Sequence, residues 1–398
     1  MRRVALSEFL RWVSRRWGWV LFGAAISAGV AIALARRGGE LRRRGAGGRA
    51  DVPEARTEEL RDARAEEEER ALRSEQLACA RKLVETYPKS DDAVHLLGLV
   101  YREQGNMEEA VKCWRKALEL DPSRADSCVF LALDALIREE FEEAESLYRR
   151  ALAIDPRTPG AVTGLAKAHL NEDKPEEAAA LLSSLQVPDP DALILLGEAR
   201  RKLGDFAQAA KAFEGALRAR PEDTDALYGL GMSLERLGEK EKSREVLEAF
   251  KKLRATRREE ARVWRAAFDP KSETAESVAH THTDVGRVYR AHGSDQRSEE
   301  LWRRAAALDP GNVVARLELS TLYAEKGREA EATKVLEDLR QTSPSNPEVF
   351  FRLGILYARS GRRAEALRAL GRGMELAPQD PRIRRAYADV EAMGARPR

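Results

Sequence analysis

The feature that most constrains this chain is a period of 34 residues. Pro88, Pro122 and Pro156 fall on it, and so do Pro310, Pro344 and Pro378. Other residue types recur in phase. Gly98, Gly197, Gly231, Gly286 and Gly354 mark one column. A tyrosine column lies three positions on, at Tyr101, Tyr289, Tyr323 and Tyr357. Ala110, Ala144, Ala178, Ala209, Ala332 and Ala366 mark another, and large residues stand four positions further on, at Trp114, Tyr148, Leu182, Phe213, Leu336 and Leu370. Self-similarity at this length means stacked supersecondary units, each too small to bury its apolar face alone.

Each column has a physical reason. Gly and Ala sit where two helices come closest, because a bulkier side chain would hold them apart. Large residues fill the space between those contacts. Proline, often as Asp-Pro, ends the second helix of a unit because it cannot donate to the helical ladder. Gly105, Gly204, Gly238, Gly327 and Gly361 fall at the turn between the two helices, where a left-handed residue is useful. The composition, 34% charged with only 6% aromatic residues, suits helices rather than strands.

These columns resemble the tetratricopeptide repeat family. The resemblance implies an all-α fold, a right-handed α-solenoid of helix-turn-helix repeats. Eight units start near Asp91, Ala125, Pro159, Pro190, Thr224, Ala279, Val313 and Pro347. A degenerate half-unit over 71–88 is expected to cap the front. The third unit is short and ends in a tighter turn framed by Pro188 and Pro190. Between the fifth and sixth units, extra chain predicts one lengthened helix over Lys240–Phe268 and then a loop at Asp269–Glu273. That insertion is either harmless or a docking helix with Trp264 and Phe268 as apolar anchors.

A second constraint lies at the N-terminus. Trp17–Ala35 is an uncharged stretch, WGWVLFGAAISAGVAIALA, flanked by arginines on both sides. As a helix it matches the thickness of a bilayer's hydrocarbon core, and Trp17 and Trp19 suit the interface. It reads as a transmembrane helix preceding the solenoid. The rival reading is a cleavable signal peptide, with small residues at Ala31, Ala33 and Ala35; Arg36 and Arg37 oppose it. A basic tail before the first apolar span favours a single-pass membrane protein whose repeats lie outside the cytoplasm, although the flanking charges are nearly balanced.

The expected organisation is therefore a basic tail (1–16), a membrane span (17–35), a flexible linker (36–57), and a charged helix with the capping half-unit (58–90). A front block of five repeats (91–256) follows, then an insertion or extended helix (257–278). A rear block of three (279–380) and a C-terminal capping helix and tail (381–398) complete it. The net charge of +2 conceals an asymmetry. Residues 1–50 carry many arginines and only two acids, Glu8 and Glu40, which leaves the repeat body mildly acidic. That disfavours nucleic acid as a partner.

No catalytic constellation is present: no G-x-S-x-G, no phosphate loop, no H-E-x-x-H. The chain reads as no enzyme, with no cofactor, no metal and no small-molecule substrate. Cys79, Cys113 and Cys128 form no CxxC pair and read as small, mostly buried thiols; a Cys113–Cys128 disulfide stays open if the repeats are extracytoplasmic. His280, His282 and His292 lack a complementary ligand and read as surface residues, and His95 and His169 as groove or packing residues.

Function then rests on a binding surface. In the resembling family the first helices of the units line the concave wall. Their outward positions here are Val129, Leu133, Leu136 and Ile137; Glu198 and Arg201; Tyr228 and Met232; Arg287 and Arg290; and Phe351 and Ile355. The apolar ones read equally as packing residues. The expected partners are proteins or peptides, recruited or assembled at the membrane. The alternative is a non-catalytic accessory subunit of a membrane enzyme complex. The carboxylate clamp of chaperone-binding relatives is missing, since the corresponding positions hold His95 and Leu99.

Overall fold

The computed structural model describes residues 52–267 and 270–393, with side chains over 63–262 and 272–393. The basic tail, the candidate membrane span and most of the linker lie outside the described residues, as do the side chains of Trp264 and Phe268. Among the described residues there are helices and no strand, and no helix is long and apolar enough to cross a membrane.

Among the described residues helix α1 (Val52–Thr86) comes first, so residues 52–57 of the expected linker are helical. Pairs follow: α2 (Asp91–Glu103) with α3 (Met107–Leu120), α4 (Ala125–Ile137) with α5 (Phe141–Ile154), α6 (Ala161–Asn171) with α7 (Pro175–Ser183), α8 (Pro190–Lys202) with α9 (Phe206–Ala219) and α10 (Thr224–Arg236) with α11 (Lys240–Ala267). The later pairs are α12 (Pro270–Ala291) with α13 (Asp295–Leu308), α14 (Val313–Glu325) with α15 (Glu329–Thr342) and α16 (Pro347–Arg359) with α17 (Arg363–Leu376). Helix α18 (Pro381–Ala392) is last. The solenoid of helical hairpins expected from the period is present. A second segment also differs from expectation. Helix α12 begins at Pro270, so most of the stretch expected as a loop at Asp269–Glu273 is helical. Proline opens a helix at its first position as readily as it closes one.

Short polar side chains start many of the first helices. Asp189, Asp223, Asn312, Asn346 and Asp380 each accept a backbone N–H at the helix N-terminus. The inter-helix glycines adopt the left-handed conformation, with φ of 77° at Gly105 and 72° at Gly361.

The chain forms two compact units. One comprises Trp114–Phe268, the other Pro53–Cys113 together with Asp269–Arg398. In the first unit, successive first helices touch in order, α4 on α6, α6 on α8 and α8 on α10, which makes a continuous wall. Second helices pack behind it. Phe213 of α9 shows how the columns mesh: its ring is 1% exposed, and a Cβ added at Gly197 would fall 2.6 Å from its Cζ. Gly229 meets the same ring from the next unit.

In the second unit, α1 and α2 pack on α12 and α13. Leu83, Ala93, Val285, Val288, Tyr289 and Leu301 share one core. Polar contacts reinforce it. Gln76 Nε2 donates to Glu103 at 2.7 Å and to Thr281 Oγ1 at 3.0 Å. Arg304 grips both oxygens of Glu75 at 2.8 Å. Tyr87 stacks on His292, centroids 4.1 Å apart. His282, expected at the surface, is instead buried, with Nε2 3.3 Å from Glu75; α1 covers it, a contact that nothing local in the sequence announces. The last three hairpins and α18 continue this unit around Trp302, Leu336, Leu353 and Leu370.

Candidate protein-binding site

The wall of first helices in the unit Trp114–Phe268 presents apolar residues in a pattern. Leu133 and Ile137, one turn apart on α4, are 42% and 67% exposed, and Tyr228 on α10 is 49% exposed. Few large apolar side chains among the described residues are so open. Val129, Leu136 and Met232 are half-buried beside them, and Glu198 is half-buried where Arg201 is exposed. Burial pushes the Glu198 carboxyl above its ordinary range, with Arg201 opposing.

The candidate residues of the other unit are placed differently. Arg287 is buried, with Nε 2.9 Å from Glu318 and Nη1 3.2 Å from Asp284. Arg290 is ion-paired with Asp295 and Glu325. Phe351 and Ile355 are half-buried and pack on the core around Leu353. These four hold neighbouring helices together in the folded chain.

Around Tyr228 the surface becomes a cleft. It is an open groove of about 700 Å³ between α10 and α11. Tyr228 and Phe250 form its apolar floor, their centroids 5.5 Å apart. Arg254, Arg257 and Arg258 line it against one acidic residue, Asp225. The Arg254 guanidinium lies 5.9 Å from the Phe250 ring centroid, and Arg257 donates to the backbone oxygen of Glu222 at 2.7 Å. This geometry depends on the length of α11. At 28 residues it is twice the usual second helix here, such as the 14-residue α9. Its extra turns carry the arginines past the end of α10's packing, with 254–262 exposed throughout. Sequence reasoning found the long helix and Tyr228 but not Phe250 or the three arginines. Their signal was an i, i+3, i+4 arginine cluster on one helix face.

The cysteines are free thiols. Burial pushes Cys79 up to about 12 and Cys113 up to about 11, which favours the thiol over the thiolate at neutral pH. Among the described residues, Glu145, His169 and Glu172 form a group with the donor types of a metal site.

Four family models, each described as tetratricopeptide repeat, match residues 92–124, 135–203, 194–266 and 271–396. The chain therefore carries tetratricopeptide repeats across residues 92–396. No curated protein sequence matches it. Among solved structures, the APC/C hetero-tetramer Cut9–Hcn1 is 13% identical, covering 75% of this chain and 63% of that one, with a TM-score of 0.31. The match thus spans less than two thirds of that relative. PilW, a widely conserved type IV pilus biogenesis factor, is 16% identical over 57% of this chain and 98% of that one, with a TM-score of 0.38. The first TPR of Spaghetti (RPAP3), bound to the HSP90 peptide SRMEEVD, is 17% identical over 30% of this chain and 96% of that one, with a TM-score of 0.29.

Proposed function

We propose that this chain is a non-catalytic scaffold, tethered to a membrane, that recruits proteins by holding an acidic segment with an apolar anchor. The observation that carries this reading is the α10–α11 cleft, where the exposed Tyr228 and the half-buried Phe250 lie beneath three arginines. Aromatic faces supply contact area at low entropic cost, and guanidinium groups suit carboxylates. The apolar stripe of Leu133 and Ile137 extends the surface available to a partner. A weak groove gains from tethering, because anchorage raises its local concentration at the surface.

Membrane attachment is supported by the apolar stretch Trp17–Ala35 and its arginine flanks. The basic tail favours repeats outside the cytoplasm. Fusions after Arg398 test this: active alkaline phosphatase and dark green fluorescent protein are expected, and the reverse pattern would put the repeats inside.

Binding is tested by fluorescence anisotropy with two synthetic amphipathic peptides, identical except that Glu in one is Lys in the other. The acidic peptide should bind, more weakly at high salt. Reversing Arg254, Arg257 and Arg258 to Glu should lower its affinity at least about tenfold. Equal binding of both peptides would refute the charge-based reading.

A further inference from the structure

Three side chains converge in the unit Trp114–Phe268. Glu145 stands on α5, His169 in the last turn of α6, and Glu172 just past its end. Nδ1 of His169 lies 3.6 Å from Oε2 of Glu145 and 4.0 Å from Oε2 of Glu172. One donor atom from each residue lies within 4.8 Å of the others. The histidine is 3% exposed, and its Nδ1 is buried without a hydrogen-bond partner. A protonated Nδ1 is too distant from either carboxylate to donate well, and a bare one turns its lone pair toward two anionic oxygens. Both states leave a buried polar atom unsatisfied, a costly arrangement in a folded core.

Two cations surround the group. Lys174 Nζ lies 3.5 Å from Glu145 Oε2 and 3.1 Å from Glu172 Oε2. Arg149 Nε lies 2.8 Å from the other oxygen of Glu145 and fixes that carboxylate from behind. The ammonium balances the acids but leaves Nδ1 without a partner. The Lys174 side chain is 42% exposed, so it has a path to solvent.

We propose that Glu145, His169 and Glu172 bind a divalent transition cation such as zinc, through Nδ1 and one oxygen from each carboxylate, with water as fourth ligand. An imidazole with carboxylates suits zinc and its neighbours, whereas magnesium and calcium favour oxygen alone. Metal–ligand bonds of about 2 Å place neighbouring donors roughly 3.3 Å apart in a tetrahedron. The donors here approach that spacing, and modest rotamer changes close the gap. The ion takes the place of the Lys174 ammonium between the carboxylates. It ties α5 to the turn between α6 and α7, where α7, at nine residues, is the shortest helix among the described residues.

The test is titration of the full-length chain with Co²⁺, followed by visible absorption, and with Zn²⁺ by calorimetry. One saturable site is expected, with tetrahedral d–d bands and no thiolate charge-transfer band. H169Q and E172Q should each weaken binding at least about tenfold while keeping the helical circular dichroism. K174M should strengthen binding, because it removes the competing cation; in a purely structural ion-pair cluster it would only destabilise the fold. Unchanged affinity in both H169Q and E172Q, or no gain in K174M, overturns the proposal.

Discussion

At the scale of single residues, the repeat columns become specific contacts. Three tyrosines of the tyrosine column, Tyr101, Tyr323 and Tyr357, reach back to a polar residue twenty positions earlier. Arg81 donates to the hydroxyl of Tyr101 at 3.1 Å, Arg303 to that of Tyr323 at 2.8 Å, and the hydroxyl of Tyr357 donates to Glu337 at 2.8 Å. Tyr323→Phe should therefore cost about 0.5–1.5 kcal/mol in urea unfolding. The turn column shows the converse. Where other units place glycine, the second and third have Glu139 and Asp173, at φ of 61° and 57°. Side chains rarely adopt that conformation without strain. Glu139→Gly should raise stability by about 0.5–1 kcal/mol, seen as a higher urea midpoint. Spacing made the glycine and alanine columns legible in the sequence. The partners of the tyrosines were not legible, because Arg and Glu alternate there and leave no column.

At the scale of elements, the hydrophobic columns fix where helices meet. Phe213 is enclosed by Gly197 and Gly229, so Phe213→Ala should cost about 3–5 kcal/mol by thermal or urea unfolding. Gly197→Ala forces the same ring to move and should also destabilise, by about 1–3 kcal/mol. Helix starts at Asp91, Ala125, Pro190, Thr224, Val313 and Pro347 were readable from the period. The start of α12 at Pro270 was not, because proline marks both the ends and the beginnings of helices. Nor was the seating of α1. Arg304 lowers the Glu75 carboxyl below its ordinary range, chiefly by hydrogen bonding. A depressed folded pKa contributes stability above the unfolded pKa, and that stability is lost as pH falls through the folded value. Glu75→Gln should thus cost less than about 1 kcal/mol at neutral pH, given the partial exposure of the pair, and nothing once acid has protonated the wild-type carboxyl.

At the scale of the whole molecule, the chain is not built in simple order from front to back. Helix α1 and the first helix of the first repeat complete a unit whose remainder begins near residue 270. Gln76 and Thr281 meet across 205 positions. A contact at such range has no periodic signature, whereas neighbouring repeats announce each other through every column. The candidate surface residues divide in the same way. Leu133, Ile137 and Tyr228 stand exposed on first helices, as periodicity placed them, while Arg287 and Arg290 are consumed by ion pairs that only the fold reveals. The cleft at Tyr228 is proposed to hold an acidic partner segment. The most direct measurement places a photo-crosslinking amino acid at position 228 in the full-length chain within cells, with position 375 on α17 as control. A discrete adduct at 228, absent at 375 and lost when Arg254, Arg257 and Arg258 are reversed to Glu, is the predicted result. No adduct at 228, or one that survives the charge reversal, would show that the cleft holds no acidic partner.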